Sequence, residues 1–179
     1  MKNLNYPKGS YQIPKKNILV ISCMDLRLTD NLVDFLHFDN LENRYDHFIL
    51  AGTSLCCTEH RNMFKDKVHD KYKDWKFALD QHIELAVSLH DIKDVYIIEH
   101  EDCGAYKNFL NSEVNMSTPK LEKEIHKKFA SELAKKIRNT PYPKDKKEDP
   151  PTFLAVHCFY IDLRGNVELL KTFTSLKHN

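Results

Sequence analysis

No apolar run in this sequence approaches the roughly 18 residues needed to cross a bilayer, and residues 1–11 are polar, without the apolar stretch of an export signal. The expectation is a soluble, unexported, cytoplasmic protein without membrane association. A dominant charge is also missing: 27 Lys+Arg against 26 Asp+Glu leave a net +1, so no whole-protein field points to nucleic acid or to an anionic membrane. The sequence has no internal repeat and no low-complexity tract. It also lacks a disulfide framework, because five cysteines is an odd number and a domain of this length needs none. Reduced thiols in a cytosol-like compartment follow. Cys158 lies in an apolar run and reads as a core residue, and the vicinal Cys56 and Cys57, which cannot easily both reach one tetrahedral ion, read as core or loop thiols.

What is present suits one α/β domain. At 179 residues and 41% apolar, the chain can build one hydrophobic core, and a second domain would be cramped. Residues 1–16 carry Pro7, Gly9 and Pro14 without periodicity and read as an N-terminal arm. Strands are expected at 17–22, 47–51 and from Val95, each a short apolar, β-branched run. Gly52, ending the second, suits a close backbone approach or a positive φ. A helix capped by Thr29 or Asp30 should follow the first strand, and the helical spacing of Leu79, Ile83, Ala86, Val87 and His90 predicts a second over 76–90. Residues 53–75 give no clean face and read as loop with short helices; His60 and His69 there, and His82 and His90 further on, read as solvated or partly packed.

Ala105 to Leu110 predicts a short helix. Thr118-Pro119 is a helix start, Thr118 capping and Pro119 at the first helical position, and Leu121, Ile125, Phe129, Leu133 and Ile137 then recur every four residues. Residues 139–151, with four prolines and a charge cluster, read as an exposed loop. Two strand-like runs around Asp162 to Asn166 predict a closing hairpin, the first strand central and the second an edge. The fold class is α/β: a mainly parallel central sheet flanked by helices, ending in a hairpin that adds an edge strand.

Metal-capable side chains stand directly after two of the strands. Ser22-Cys23-Met24-Asp25-Leu26-Arg27 follows the first, and Glu99-His100-Glu101-Asp102-Cys103-Gly104 follows the third. In an open parallel sheet, ligands bind beyond the carboxyl ends of the strands, so Cys23, His100 and Cys103 could meet there although far apart in sequence. Two thiolates and an imidazole suit zinc and leave a fourth position open. Asp25 and Arg27 alternate with Cys23, so a carboxylate held by a guanidinium could orient a zinc-bound water or itself close the site. Spacing alone leaves open an ordinary loop salt bridge beside two buried thiols.

Cys23-Met24-Asp25-Leu26-Arg27 together with His100-Glu101-Asp102-Cys103-Gly104 at the end of an apolar strand resemble the paired signatures of the beta-class carbonic anhydrases. Ile83-Glu84-Leu85-Ala86-Val87 leading to Ile98, and Tyr160-Ile161-Asp162-Leu163-Arg164-Gly165-Asn166, are similar to the same family's pattern. The resemblance implies a divergent, compact member with Cys23, His100 and Cys103 as zinc ligands, Asp25 and Arg27 as a catalytic dyad, and Gly104 presenting its backbone N–H to substrate. It implies reversible hydration of carbon dioxide to bicarbonate by zinc-bound hydroxide, in a homodimer or higher homo-oligomer with sites near the subunit interface. The alternatives are hydrolysis of carbonyl sulfide or carbon disulfide at the same zinc, or a non-catalytic zinc-binding role. The chain departs from the family at Ile49-Leu50-Ala51-Gly52, where the usual segment is Arg-Asn-Ala-Gly.

Overall fold

The computed structural model describes residues 4–57, 61–65, 68–142 and 151–176. Five strands form one sheet: β1 (Ile18–Ser22), β2 (Tyr45–Ile49), β3 (Asp94–His100), β4 (Ala155–Ile161) and β5 (Val167–Phe173). Their order is β2-β1-β3-β4-β5, with β2, β1, β3 and β4 mutually parallel and β5 antiparallel to β4. The expected α/β domain with a closing hairpin is therefore the observed one. Every residue of β1 is buried, which its unbroken Ile-Leu-Val-Ile run predicts for a strand covered on both faces.

Side-chain alternation along the strands sorts the core into two layers. Ile18 and Val20 of β1, with Tyr96, Ile98, Phe159 and Ile161, pack under helix α1 (Thr29–Phe38) through Leu32, Phe35 and Leu36. Leu19 and Ile21, with Val95, Ile97, Val156 and Cys158, pack on the other face under α3 (Asp74–His90) and α5 (Pro119–Asn139). Burying each such aliphatic side chain contributes about 1.5–3 kcal/mol, so this two-sided core fixes the sheet that carries the site. The four-residue α2 (Val68–Lys71) and two 3₁₀ turns, Leu55–Cys57 and Arg61–Met63, occupy the stretch expected to hold short helices.

Several local expectations shift. The first helix is entered through a 3₁₀ turn, Leu26–Leu28, which Asp25 caps by accepting from the Arg27 N–H; Thr29 and Asp30 lie inside α1 and do not cap it. Asp25 precedes a tight turn, so its carboxylate reaches backbone two residues on. Strand β2 begins at Tyr45, two residues early, since an edge strand needs no continuous apolar run. In α5, Thr118 accepts from the Leu121 N–H at 3.3 Å and Pro119 opens the helix, as its sequence signals. Leu121 itself is exposed, while Glu122 and His126 are buried. Tyr142 is buried and pairs with Thr152 within the stretch expected to be exposed; residues 143–150 lie outside the described residues.

The described part of the arm packs on its own chain. Tyr6 lies against Phe35 and Phe38, and Tyr11 against Tyr96 and Phe159, with its hydroxyl donating to Asp39 at 2.5 Å. Of the remaining histidines, His82 lies against Phe48 and His90 pairs with Asp46, while His60 lies outside the described residues and nothing is described of the His69 side chain.

Candidate metal centre

The chain runs from β1 to β2 on one side and then to β3 on the other, so the sheet's topological switch lies between β1 and β3, where a crevice opens at the strands' carboxyl ends. Cys23 is the first residue beyond β1, His100 ends β3, and Cys103 precedes the short helix α4 (Gly104–Phe109). Asp102 adopts φ +58°, a left-handed conformation that Asp tolerates better than most residues, and the reversal there brings Cys103 back beside His100.

One donor atom each from Cys23, His100 and Cys103 lies within 4.8 Å of the others, the one such group among the described residues. The two sulfurs are 4.0 Å apart. His100 faces its backbone neighbour through Nδ1, 2.8 Å from the Glu101 carbonyl, an arrangement that fixes the ring and leaves Nε2 for the crevice. That Nε2 is buried and has no hydrogen-bond partner. A buried imidazole nitrogen is costly to leave unpaired, so its orphaning beside two thiols is the mark of an atom meant for a ligand. The donor set fits zinc: two soft sulfurs and a borderline nitrogen, three of the four donors that zinc takes.

The electrostatics around the sulfurs agree. Hydrogen bonding from Cys103 is the main force that lowers the Cys23 thiol to about 4, against its partial burial, with His100 and the Gly52 N–H assisting. The same pairing and burial push Cys103 up. Burial by itself would depress His100, but the Cys23 sulfur close by outweighs it and raises its pKa.

The loop after β2 supports the Cys23 sulfur. Gly52 donates its N–H to Cys23 Sγ at 3.3 Å from φ +78°, and a Cβ there would stand 3.0 Å from the Ala105 Cβ, so both its conformation and its surroundings require glycine. Glu99, fully buried on β3, anchors the same loop: it accepts from the Ser54 N–H at 3.1 Å and from the Ser54 hydroxyl. Its other oxygen lies 2.7 Å from His126 Nδ1 on α5. One carboxylate next to the candidate ligand His100 therefore ties the Gly52 loop and α5 to β3.

Asp25 and Arg27 form a two-pronged pair, Arg27 Nε donating to Oδ1 at 2.9 Å and Nη2 to Oδ2 at 2.6 Å. Arg27 also donates to Asp102 Oδ2 at 2.8 Å and to the Asp102 carbonyl at 3.0 Å, while Lys107 donates to the other Asp102 oxygen. The guanidinium hydrogen bonds hold the Asp25 carboxyl at about 2, so it is ionised throughout the neutral range. Gly104 opens α4, and a Cβ there would meet nothing within 4 Å, so packing leaves open space over its backbone. Beside Cys23, Asp25 and His100 a cavity of about 200 Å³ lies between α1 and the ends of β1 and β2, walled mainly by Leu28, Leu32, Val33, Ile49, Ile98 and Ile161.

No model of a protein family matches the sequence. An uncharacterized protein of Rickettsia bellii is 31% identical over 150 residues, 84% of this chain and 79% of the relative. One of Rickettsia conorii is 30% identical over the same length, 84% of this chain and 69% of the relative. Among solved structures, the beta-carbonic anhydrase CafD of Aspergillus fumigatus superposes with a TM-score of 0.54 at 14% identity, covering 88% of this chain and 91% of that one. One of two tetrameric beta-carbonic anhydrases from Sordaria macrospora gives a TM-score of 0.53 at 14% identity, covering 92% and 85%. The chain belongs with the rickettsial proteins, and its fold is that of the beta-carbonic anhydrases.

Within the beta-carbonic anhydrase fold, sequence reasoning placed the candidate ligands, the Asp25–Arg27 pair and Gly104 at one end of the sheet, and the structure finds all of them there. It missed Asp102 as the second partner of Arg27, and Glu99, Ser54 and His126 as the support behind His100. A charged residue inside an otherwise apolar strand was the available signal for Glu99, since such a residue is buried only with partners. Asp102 gave no signal, because a left-handed turn is invisible in an aspartate.

Proposed function

We propose that this protein is a zinc-dependent carbonic anhydrase that reversibly hydrates carbon dioxide to bicarbonate, with Cys23, His100 and Cys103 as the zinc ligands. The observation that carries the reading is the buried, unpartnered Nε2 of His100 facing two thiols, next to a carboxylate that its arginine keeps ionised. Bound zinc supplies a Lewis acid that brings a water to its nucleophilic form near neutral pH. Asp25 accepts a hydrogen bond from the attacking water and leaves a lone pair aimed at carbon. Arg27 fixes the Asp25 rotamer from two sides and keeps the carboxylate from turning into the ligand set. Gly104 offers its backbone N–H to a substrate oxygen, with no side chain in the way. The apolar cavity holds a small neutral molecule without competing hydrogen bonds.

A purely structural zinc site closes with a fourth Cys or His, and the group here has three members among the described residues, which favours catalysis. The cavity favours a second reading of the substrate. Its apolar walls would accept carbonyl sulfide or carbon disulfide, which are larger and less polar at sulfur than carbon dioxide is at oxygen. The protein works as a homodimer or larger homo-oligomer: Met24, Leu26 and Ile49 are exposed, Leu26 by 85%, around the crevice. Free thiols at Cys23, Cys57, Cys103 and Cys158 suit a reducing, cytoplasmic setting, and no described helix is long and apolar enough to cross a membrane.

Reloading metal-stripped protein with zinc tests the proposal. Hydration of carbon dioxide is expected to rise in proportion to bound zinc and level off at one equivalent. Zinc binding with no hydration but with hydrolysis of carbonyl sulfide or carbon disulfide would move the assignment to the second reading, and binding with none of the three would leave a non-catalytic role.

A further inference from the structure

Hydration of carbon dioxide releases one proton per turnover, and the groups around the crevice differ sharply in their capacity to take it. Asp25 already accepts two hydrogen bonds from Arg27, one on each carboxylate oxygen. His100 has Nδ1 on the Glu101 carbonyl and turns Nε2 to the ligand position, and Cys23 lies beside it in the same donor group. The one further titratable group that lines the cavity is His47 of β2. Its Nε2 lies 2.7 Å from the hydroxyl of Ser22, the last residue of β1 before Cys23. Ser22 also reaches the Cys23 carbonyl, but at 3.4 Å, so its contact with the imidazole is the closer of the two.

The placement of this pair follows from the sheet. His47 stands beside Val20 in the β1–β2 register, and Ser22 is two residues along the same face, so both side chains point into the space under α1. Ser22 is buried, whereas His47 is half-buried because β2 is the sheet's edge strand. The ring therefore spans from the cavity wall to solvent, with Tyr45 packed edge-on at 6.0 Å. Partial burial keeps the ring's pKa below the usual histidine value, which favours a neutral ring whose Nε2 can accept from Ser22.

We infer that Ser22 and His47 form the route by which the product proton leaves the cavity for solvent. The inference rests on the carbonic anhydrase reading. The released proton passes to Ser22 Oγ as Ser22 gives its own hydroxyl proton to His47 Nε2. The imidazolium so formed loses its Nδ1 proton to a buffer base, and exchange with solvent returns the ring to its Nδ1–H form. The balance is one proton moved from site to buffer, with Ser22 and His47 unchanged.

The test compares zinc-loaded wild type, His47→Ala and Ser22→Ala, each checked for equal zinc content and far-UV circular dichroism, in weak buffer and in imidazole. Since one positioned acid–base group contributes about 10²-fold or more and solvent offers a parallel path, His47→Ala should lower kcat by about tenfold in weak buffer, leave kcat/KM nearly unchanged, and recover in imidazole. A readout independent of turnover is nitrogen NMR of the His47 ring: the Nδ1–H tautomer with Nε2 accepting, its Nε2 resonance shifted in Ser22→Ala. Wild type that hydrates carbon dioxide while His47→Ala keeps full kcat in weak buffer overturns this route alone, as does an Nε2–H tautomer. Equal losses in kcat and kcat/KM without imidazole rescue also overturn it. Wild type that is inactive at full zinc overturns the carbonic anhydrase reading and the route with it.

Discussion

Asp25→Asn is expected to keep its zinc and lose hydration by about 10²–10³-fold, the range over which one positioned hydrogen-bonding group acts on a transition state. The asparagine occupies the same volume and its oxygen still accepts from Arg27, so the 3₁₀ turn at Leu26–Leu28 and the position of Cys23 are preserved. What disappears is the negative charge, with the Arg27 Nη2 bond that the amide nitrogen cannot accept. In the wild type that charge is secured by the two Arg27 hydrogen bonds, with Asp102 and Lys107 behind the guanidinium. Rate and zinc content measured on one preparation separate the two effects, and full activity in the variant would remove Asp25 from the mechanism.

The second large effect belongs to Cys103→Ser. Cys103 is 1% exposed, and its sulfur faces Cys23 across 4.0 Å, so a serine there places a poor zinc donor at the centre of the group. Zinc should be lost, and with it the stability that binding lends to the fold. At a zinc concentration about 100-fold above Kd, a ligand that binds only the folded state contributes ~2.7 kcal/mol, which for a chain of this size is a rise in Tm of about 5–10 °C. Thermal unfolding with and without zinc should show that rise in the wild type and none in the variant. An equal rise in both would mean that the metal sits elsewhere.

The legible parts of the sequence were those where chemistry and period coincide. Ile18 to Ile21 and Val95 to Ile98 are apolar enough to be central strands, and the residue types that follow each are ones that zinc selects, so the strand ends and the candidate ligands came from the same few positions. Thr118-Pro119 and the terminal hairpin were readable for a similar reason, since capping and turns rest on local contacts. Features that depend on distant partners were not. Asp25 outcompetes Thr29 and Asp30 as a cap because the chain tightens into a 3₁₀ turn first. Leu121 continues the four-residue stripe but is exposed, while Glu122 and His126 enter the interior, where Glu99 meets His126. His47 looked like one more residue of an edge strand, and only the register beside β1 brings it to Ser22.

X-ray absorption at the zinc edge of the loaded wild-type protein tests the central claim most directly: Cys23, His100 and Cys103 hold the metal and leave one position to water. The account predicts two sulfurs at about 2.3 Å, one imidazole nitrogen at about 2.0–2.1 Å and one further light atom, with Cys103→Ser reducing the sulfur count. A closed site of four sulfur and nitrogen ligands from the protein, or a sulfur count that Cys103→Ser leaves unchanged, would contradict it.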